Sequence, residues 1–265
     1  MKKVIAFVCC ILTLFAFVLQ GDALQSRYSW YCVHAKDHVQ PRVGGDLSFV
    51  ETLDGYYIDS RHADPNDTDK VIYLTFDAGY ENGNVAKILD VLKEKEAPAA
   101  FFILGHLITN DTELVRRMAK EGHTVCNHTV HHKDMSSMDD AAFLEEIRSL
   151  EALYQEKIGE EMAPYYRPPE GKFSKENLIC AQENGYKTIF WSFAYPDWDN
   201  QKQPSVEKAK KIILDNAHNG EVMLLHPTSE TNAMILGDVI DSLRSEGYRF
   251  GTLDELTKRQ DEANQ

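Results

Sequence analysis

The feature that most constrains the fold is a regular alternation of two kinds of segment from residue 71 onward. Short segments rich in β-branched and aromatic residues are typical of buried strands. The longer segments between them carry apolar residues at every third or fourth position, which is typical of amphipathic helices. Strands that alternate with helices pair in parallel, because a parallel neighbour requires a crossover connection. The predicted strands are 71–76, 100–104, 124–126, 165–167, 188–191, 222–225 and 249–252.

Six helices are predicted between these strands, and glycines mark many of their ends. Gly122, Gly185, Gly220 and Gly247 each follow a helical segment, which is the expected position of a C-terminal cap. This pattern predicts an α/β fold, a distorted or incomplete (β/α) barrel of about seven parallel strands, with an open doubly wound sheet as the alternative. The predicted helices are 84–96, 113–121, 139–157, 175–184, 205–217 and 233–246.

The N-terminus, 1–23, has the pattern of a targeting segment. Two lysines precede an uncharged apolar run over 4–19, and Gly21 and Ala23 place small residues before a cleavage point. The run is shorter than the roughly 20 residues that span a bilayer. A secretory signal peptide is therefore favoured, and an uncleaved N-terminal anchor is the alternative.

Three further regions are predicted after this segment. Residues 24–69 are polar and rich in turn-forming residues, which indicates an N-terminal extension that packs on the main domain. Residues 70–256 contain the alternating pattern and form the predicted catalytic domain. Residues 257–265 form a polar C-terminal tail.

The charge balance excludes one class of partner. The chain contains 28 Lys and Arg residues against 42 Asp and Glu residues, a formal net charge of −14. A general nucleic-acid binder needs a basic surface to neutralise phosphates, so no nucleic-acid partner is expected. Acidity also disfavours anionic lipid, which leaves the N-terminal segment as the only expected membrane contact. We expect a monomer.

The five cysteines do not form a recognisable site. Cys9 and Cys10 lie in the N-terminal apolar run, and Cys32, Cys126 and Cys180 are widely spaced without a C-x-x-C pattern. This spacing excludes a cysteine-based zinc site and a disulfide framework. Buried or incidental thiols are expected, and one disulfide outside the cell remains an alternative.

Five ionisable residues follow the predicted strands: Asp77, His128, Arg167, Asp197 and His226. The carboxyl ends of parallel strands meet at one edge of the sheet, and chemistry in such folds gathers at that edge. One such residue alone would more often be structural. Five of them predict an active site.

His128 and His132 are the candidate metal ligands. They are four residues apart, so on a helical turn both imidazoles would face the same way and could share one divalent ion. His131 would point elsewhere. The alternative is a partly buried cluster of hydrogen-bonded histidines.

The other strand-end residues suit acid–base chemistry. Asp77 is a candidate base that takes a proton from an attacking water, and Arg167 could hold it ionised or form a purely structural ion pair. His226 is a candidate acid with Asp197 as its orienting partner. The aromatic stretch 190–198 suits either core packing or a wall for sugar stacking. The sequence contains no Gly-rich phosphate loop and no G-x-S-x-G nucleophile motif.

Taken in order, these motifs resemble the polysaccharide deacetylases with a NodB-like domain, carbohydrate esterase family four. The resemblance covers roughly 70–256 and implies a distorted β/α barrel that uses a divalent metal to remove N-acetyl groups from amino sugars. It implies that Asp77 is the catalytic base, that His128 and His132 are metal ligands, and that Arg167 orients the base.

The same resemblance implies roles for five further residues. Asp197 resembles the partner that tunes His226, the general acid. Trp198 and Leu224 resemble the wall of the pocket for the acetyl methyl group. The backbone N–H of Glu170 resembles the oxyanion donor that an acyl-transfer transition state requires.

One residue departs from the family pattern. The first motif usually reads Thr-Phe-Asp-Asp-Gly and its second Asp is the third metal ligand, but this chain has Ala78 there. Zinc or a similar divalent ion is implied, with the third protein ligand left open, Asp77 or Asn127 being candidates. The segments 78–83 and 191–198 are similar to those of the muramic acid de-N-acetylases, which also lack the second Asp.

The expected function is therefore a hydrolase of carbon–nitrogen bonds that removes N-acetyl groups from N-acetylmuramic acid in peptidoglycan. The resemblance implies muramic δ-lactam formation in the spore cortex, an extracytoplasmic location and peptidoglycan strands as the partner. Lys172 or Lys202 could hold the lactyl carboxylate of the substrate. Deacetylation of N-acetylglucosamine polymers such as chitin oligomers is one alternative, and a non-catalytic glycan-binding domain is another.

Overall fold

The computed structural model of this chain describes residues 26–31, 33 and 35–258. The predicted 1–23 segment lies outside these residues. No helix in the described part of the chain is both long and apolar enough to cross a membrane.

Within the described residues, ten strands form two sheets. Eight strands form a parallel sheet. Seven of them follow the order β10-β3-β4-β5-β6-β8-β2, and β9 also pairs with β3. Strands β1 and β7 form a separate antiparallel pair. The strands are β1 (Arg27–Ser29), β2 (Gly55–Tyr56), β3 (Lys70–Ala78), β4 (Ala100–Ile103), β5 (Thr124–Asn127), β6 (Tyr165–Tyr166), β7 (Lys172–Ser174), β8 (Lys187–Ile189), β9 (Glu221–Leu225) and β10 (Tyr248–Phe250).

The part of the chain that the structure describes also contains eight α-helices and four short 3-10 turns. The helices are α1 (Val85–Glu94), α2 (Gly105–Asn110), α3 (Thr112–Lys120), α4 (Asp140–Ile158), α5 (Lys175–Glu183), α6 (Val206–Asn216), α7 (Glu230–Ser245) and α8 (Leu253–Leu256). The 3-10 turns are Ser48–Leu53, Ser60–His62, Met135–Ser137 and Pro169–Gly171.

The sheet curls into an incomplete barrel around the long strand β3. Phe193, just beyond β8, bridges in parallel to Met223 on β9, and Ile58 bridges to Glu221 on the same strand. These contacts bring the far edge of the sheet back to β9. The predicted distorted barrel is confirmed, and the alternative of an open doubly wound sheet is wrong.

Strand β3 shows why the parallel strands read as almost continuous apolar runs. Val71 and Tyr73 belong to one buried apolar cluster, whereas Ile72, Leu74 and Phe76 belong to the other, which packs against the helices. Because both faces of a parallel sheet are covered, both sets of alternating side chains must be apolar.

The glycines expected at helix ends have the left-handed backbone that favours glycine. The φ angles of Gly122, Gly185, Gly220 and Gly247 are 85°, 83°, 76° and 91°. A side chain is disfavoured at such an angle, and Gly122, Gly185 and Gly247 directly follow the C-caps of α3, α5 and α7. The prediction is wrong for Gly220, because α6 ends at Asn216 and Gly220 lies in the turn that leads into β9.

All seven predicted strands and all six predicted helices are present, with shifted ends. Strand β6 stops at Tyr166 and leaves Arg167 just beyond it, and α7 begins at Glu230 because the Ser229 hydroxyl caps Asn232. The elements that the sequence did not predict, β1, β2, β7, α2 and α8, have at most six residues each. Segments this short carry too few residues to show a period.

The segment before β3 packs closely on the barrel. Strand β2 adds to the edge of the main sheet beside β8, and β1 pairs with β7. Trp30, Tyr57, Phe173 and Phe190 belong to one buried cluster between this segment and the barrel. Cys126 and Cys180 are buried free thiols, as expected, and Cys32 lies outside the described residues.

Candidate active site

The carboxyl edge of the sheet brings Asp77 and Arg167 together. Asp77 lies near the end of β3, and the Arg167 side chain, fully buried, donates from Nη1 to Asp77 Oδ1 at 2.8 Å. Arg167 also donates from Nε to the carbonyl of Ile189 at 2.9 Å and from Nη2 to that of Phe190 at 3.1 Å. Its guanidinium lies 4.1 Å from the centre of the Phe102 ring. These contacts fix the charge that faces Asp77.

Asp77 is held as a carboxylate. Burial alone would raise its pKa, but the charges of Arg167, His128 and His226, together with the hydrogen bond from Arg167, outweigh burial, and the pKa lies below the ordinary value. Asp77 is therefore ionised at neutral pH, which a base requires.

Asp197 shifts the charge balance of His226 in the opposite direction, toward the cation. Its Nδ1 lies 2.7 Å from Asp197 Oδ1, and its backbone N–H donates to Asp197 Oδ2 at 2.8 Å. Burial would lower the pKa of His226, but the hydrogen bond and charge of Asp197, aided by the charge of Asp77, raise it. The imidazole therefore stays protonated to higher pH than an ordinary histidine.

Asn232 is a site residue that the sequence reasoning missed. From α7 its Nδ2 donates to Asp197 Oδ2 at 2.6 Å and to the His226 carbonyl at 3.1 Å, while its Oδ1 accepts from the Tyr195 hydroxyl. Asp197 thus accepts three N–H donors and is fixed under His226. No motif marks Asn232, since it comes six residues after His226 in a separate element.

The imidazoles of His128 and His132 converge, with ring centres 5.0 Å apart, but the prediction of a helical turn between them is wrong. The loop after β5 is irregular, with left-handed backbone at Thr129 (φ 73°) and His132 (φ 57°). Two local bonds impose this path. Asn127 Oδ1 accepts from the Thr129 N–H, and Thr129 Oγ1 accepts from the His132 N–H. Short polar side chains of this kind often replace helical hydrogen bonds.

Two residues near the histidines are engaged elsewhere. Asn127 donates from Nδ2 to the Ile147 carbonyl at 2.9 Å and accepts from the Thr129 N–H, so it does not face His128 as a ligand. The exposed His131 side chain contacts Glu146 at 3.0 Å. The open third ligand is therefore not Asn127.

The donor chemistry around His128 fits a cation. Its Nδ1 lies 2.8 Å from the Arg167 carbonyl, which can only accept, so Nδ1 carries the proton and Nε2 carries a lone pair. Burial lowers the pKa of His128 to about 4, which leaves the ring neutral at pH 7. Nε2 lies 3.5 Å from Asp77 Oδ2, a second electron-pair donor. Two facing acceptors of this kind suit a shared metal ion.

The residues nevertheless do not make a complete set of three protein ligands. Across the described residues, no group of three His, Cys, Asp or Glu side chains is placed to hold a metal. Ala78, at the position of the usual second Asp, is fully buried among apolar side chains. Any metal here would rely on His128 and His132, with Asp77 beside them.

The turn Pro169–Gly171 lies between Arg167 and β7. Glu170 has left-handed backbone (φ 54°), as does Gly171 (φ 66°). A Cβ on Gly171 would lie 2.8 Å from Trp191 and 3.0 Å from Trp30, so only glycine fits there. The turn is thus closely confined beside the Arg167 site.

The predicted pocket walls lie at the same edge. The Trp198 side chain is exposed, with its ring centre 6.4 Å from that of His226, and Leu224 is buried on β9 next to Thr75 of β3. Tyr80 is also exposed, and Asn200 donates to its hydroxyl at 2.9 Å, which joins the loops after β3 and β8.

The two lysines proposed to meet a substrate carboxylate already face acidic groups. Lys172 Nζ lies 2.7 Å from Glu170 Oε2, and Lys202 Nζ lies 3.8 Å from Asp199 Oδ2. Lys202 is largely exposed and Lys172 is half-buried at the turn. Both are surface pairs of modest strength, so neither lysine is fixed in place.

Comparison with known proteins gives one consistent result. A family model described as polysaccharide deacetylase matches 64–189. The chain is 34% identical over 258 residues to the peptidoglycan-N-acetylmuramic acid deacetylase PdaA of Bacillus subtilis (strain 168), covering 97% of this chain and 96% of that protein. It is 32% identical over 200 residues to a peptidoglycan-N-acetylglucosamine deacetylase of Bacillus cereus, covering 73% and 91%. The solved structure of Bacillus subtilis PdaA, a family 4 carbohydrate esterase, matches with a TM-score of 0.81 at 36% identity, over 87% of this chain and 96% of that one.

Proposed function

Because the chain belongs to the polysaccharide deacetylase family, carbohydrate esterase family 4, and is a hydrolase of amide bonds in peptidoglycan, we propose that it deacetylates N-acetylmuramic acid in peptidoglycan. The observation that carries the proposal is a pair of oppositely tuned groups at one edge of the sheet. Arg167 helps to lower the pKa of Asp77, which favours the anion, and Asp197 raises the pKa of His226, which favours the cation. Amide hydrolysis needs such a pair, one group to take a proton and one to give a proton.

In the proposed reaction Asp77 accepts a proton from the water that attacks the acetyl carbonyl. The Glu170 backbone N–H donates to the oxygen that becomes negative, and such a donor is most effective when it is fixed in advance. His226, protonated and oriented by Asp197, then gives its proton to the departing sugar nitrogen, so that acetate and a free amine are released. Trp198 borders the acetyl group in this arrangement.

A divalent metal is part of the proposal, since deacetylases of this family are generally metal-dependent. His128 and His132 would hold the ion, and the lone pair on His128 Nε2 supports that assignment. When bound, such an ion polarises a carbonyl and lowers the pKa of a coordinated water. The protein's own part is to keep His128 neutral through burial and its tautomer fixed through the Arg167 carbonyl.

The muramic substrate is supported by the Bacillus subtilis relative, which is a peptidoglycan-N-acetylmuramic acid deacetylase and matches 97% of this chain. Deacetylation leaves an amine at C2 beside the lactyl carboxyl on O3, and these two groups can close a six-membered δ-lactam. We therefore propose muramic δ-lactam formation in the spore cortex as the role and an extracytoplasmic location. Export by the 1–23 segment belongs to the same proposal.

Acetate release tests the substrate. Purified protein is incubated with glycan strands stripped of stem peptides and, separately, with chitin oligomers, each with Zn²⁺, Mn²⁺ or Co²⁺ and after chelation. We expect acetate from the muramic strands, loss after chelation, and no turnover by Asp77→Asn or His226→Ala that still fold by circular dichroism. Release from chitin oligomers alone would transfer the assignment to N-acetylglucosamine polymers. No release from either would leave a glycan-binding role, in which Asp77→Asn binds strands as well as the wild type.

A further inference from the structure

Residues from outside the matched family region, 64–189, reach the proposed oxyanion turn. Strand β1 pairs antiparallel with β7, which directly follows the turn Pro169–Gly171. The Trp30 backbone N–H continues this ladder and donates to the Gly171 carbonyl at 2.8 Å. The N-terminal segment is therefore bonded to the turn itself.

The Trp30 side chain contacts a second segment of the site. Its indole Nε1–H donates to the Trp191 carbonyl at 2.9 Å, and its ring stacks on Phe190 with centres 4.3 Å apart and planes at 24°. The residue is only 4% exposed. Phe190 is one of the two residues whose carbonyls accept from Arg167, so the indole contacts the side chain of one of these residues and the carbonyl of the residue after it.

The two segments need such support. Glu170 is a non-glycine residue with left-handed backbone, a conformation that persists only where the surroundings impose it. The carbonyls of Ile189 and Phe190 place Arg167, and Arg167 in turn places Asp77. A shift of the Trp30 indole would reach both the Glu170 N–H and the base.

We propose that Trp30 is a positioning residue for the deacetylation, linking the Glu170 turn to the carbonyls that hold Arg167. The inference rests on the proposed function. It assigns the segment before β3 a part in turnover in addition to its part in stability.

The test separates positioning from stability with a matched pair of variants. Trp30→Phe keeps an aromatic ring but removes the Nε1–H donor. Val50→Ala removes volume from the same buried cluster, and Val50 is bonded to neither turn segment. The measurements are kcat and KM for acetate release, the melting temperature, and amide hydrogen exchange over 169–172 and 189–192.

Loosening one fixed donor costs less than deleting it, and deletion of an oxyanion donor costs about 10²- to 10³-fold in kcat. We expect Trp30→Phe to lower kcat by roughly tenfold with KM within about twofold, and to speed exchange over 169–172. Val50→Ala should lower the melting temperature without either change. Equal loss of kcat in the two variants, or unchanged exchange over 169–172 in Trp30→Phe, would overturn the inference. If the wild type releases no acetate from any glycan, the proposed function fails and the exchange comparison alone decides whether Trp30 fixes the turn.

Discussion

Replacing Asp197 with Asn tests whether the charge state of His226 is set by one buried carboxylate. Asp197 has a fully buried side chain and accepts the imidazole on one oxygen and two N–H groups on the other. Asn has one acceptor oxygen and one NH₂ group, so it cannot serve all three donors. If the side-chain oxygen of the new Asn accepts from the His226 backbone N–H and from Asn232 Nδ2, as Asp197 Oδ2 does, the NH₂ group of the new side chain faces His226 Nδ1. A donor at that position favours the neutral imidazole, whose Nδ1 can accept.

The size of the effect follows from this geometry. A hydrogen bond to a charged group contributes about 1.5–3 kcal/mol, and one pKa unit corresponds to about 1.4 kcal/mol. Losing the 2.7 Å contact and its charge should therefore lower the pKa of His226. Because a raised pKa keeps the acid protonated at higher pH, the loss must move the alkaline limb of kcat/KM to lower pH. At pH values above the pKa of His226 in the wild type, turnover should fall roughly 10- to 100-fold. At low pH the loss of turnover should be much smaller.

The assay is a pH profile of kcat/KM for acetate release, paired with an NMR titration of the His226 ring. Asp199→Asn is the control, because it removes a negative charge from the same loop at a half-exposed position that pairs only with Lys202 among the ion pairs described. The alkaline limb should stay in place in the control. An Asp197→Asn enzyme with an unmoved alkaline limb and an unchanged His226 titration would refute the reasoning.

The same substitution has a consequence for stability. Since the folded-state pKa of His226 is raised, the pair stabilises the fold fully below the ordinary histidine pKa, and this contribution is lost as pH rises through the folded value. Asp197→Asn should remove that dependence on pH. At low pH, where the ring is protonated, its Nδ1–H loses the Asp197 acceptor, and this loss should cost about 1–3 kcal/mol.

Three further outcomes are expected. Arg167→Lys keeps a positive charge, but a lysine cannot reach Asp77 and both backbone carbonyls. We therefore expect kcat to fall on the order of tenfold and the melting temperature to drop. A wild-type kcat would contradict this. Ala78→Asp adds a buried carboxylate, so the melting temperature of this variant should fall in the presence of a chelator and be restored by Zn²⁺. Its metal affinity, measured by competition with a chelator, should be at least about tenfold above that of the wild type. No response to Zn²⁺ would contradict a family-like geometry. Gly171→Ala should slow turnover more than Gly122→Ala. Both glycines have a positive φ, but of the two only an added Cβ at Gly171 would contact other atoms. Equal activities of the two variants would count against the close fit at Gly171.

The strand-end residues could be predicted because parallel strands all point the same way. Once the alternation fixed a parallel sheet, Asp77, Arg167 and His226 had to lie at its carboxyl edge, and the structure places them there. Asn232 could not be found in this way. It reaches Asp197 from the first turn of α7, and an Asn near a helix start is common enough to carry no signal.

The loop after β5 shows where spacing alone misleads. Four residues separate His128 from His132, which is a helical interval, yet the rings converge through two left-handed residues. The decisive contacts are those of Asn127 and Thr129 with neighbouring backbone N–H groups. Hydrogen bonds from short polar side chains to nearby backbone N–H groups compete with the backbone hydrogen bonds of a helix. Which of the two forms depends on the packing around the segment.

The segment before β3 was expected to pack on the main domain, but its strand pairing could not be predicted, for a different reason. Its residues pair with partners far along the chain, Tyr28 with Phe173 and Tyr56 with Ile189. A three-residue strand has no measurable period, and its partner is chosen by tertiary packing. The polar composition of 24–69 reflects its exposed side chains and gives no sign of the buried Trp30.

The proposed acid, His226, and the proposed base, Asp77, have the same arrangement: each is partly exposed, and its charge partner is fully buried. The side chains of Asp77 and His226 are 11% and 27% exposed, whereas those of Arg167 and Asp197 are 0% exposed. A buried partner acts through a medium of low dielectric, so its charge is little screened by water or salt. The substrate can then approach either reacting group without displacing the charge that tunes it. This arrangement explains how a chain with a net charge of −14 can keep a carboxylate ionised and an imidazole protonated side by side. The local partners decide both pKa values, and the overall acidity of the surface contributes little at that depth.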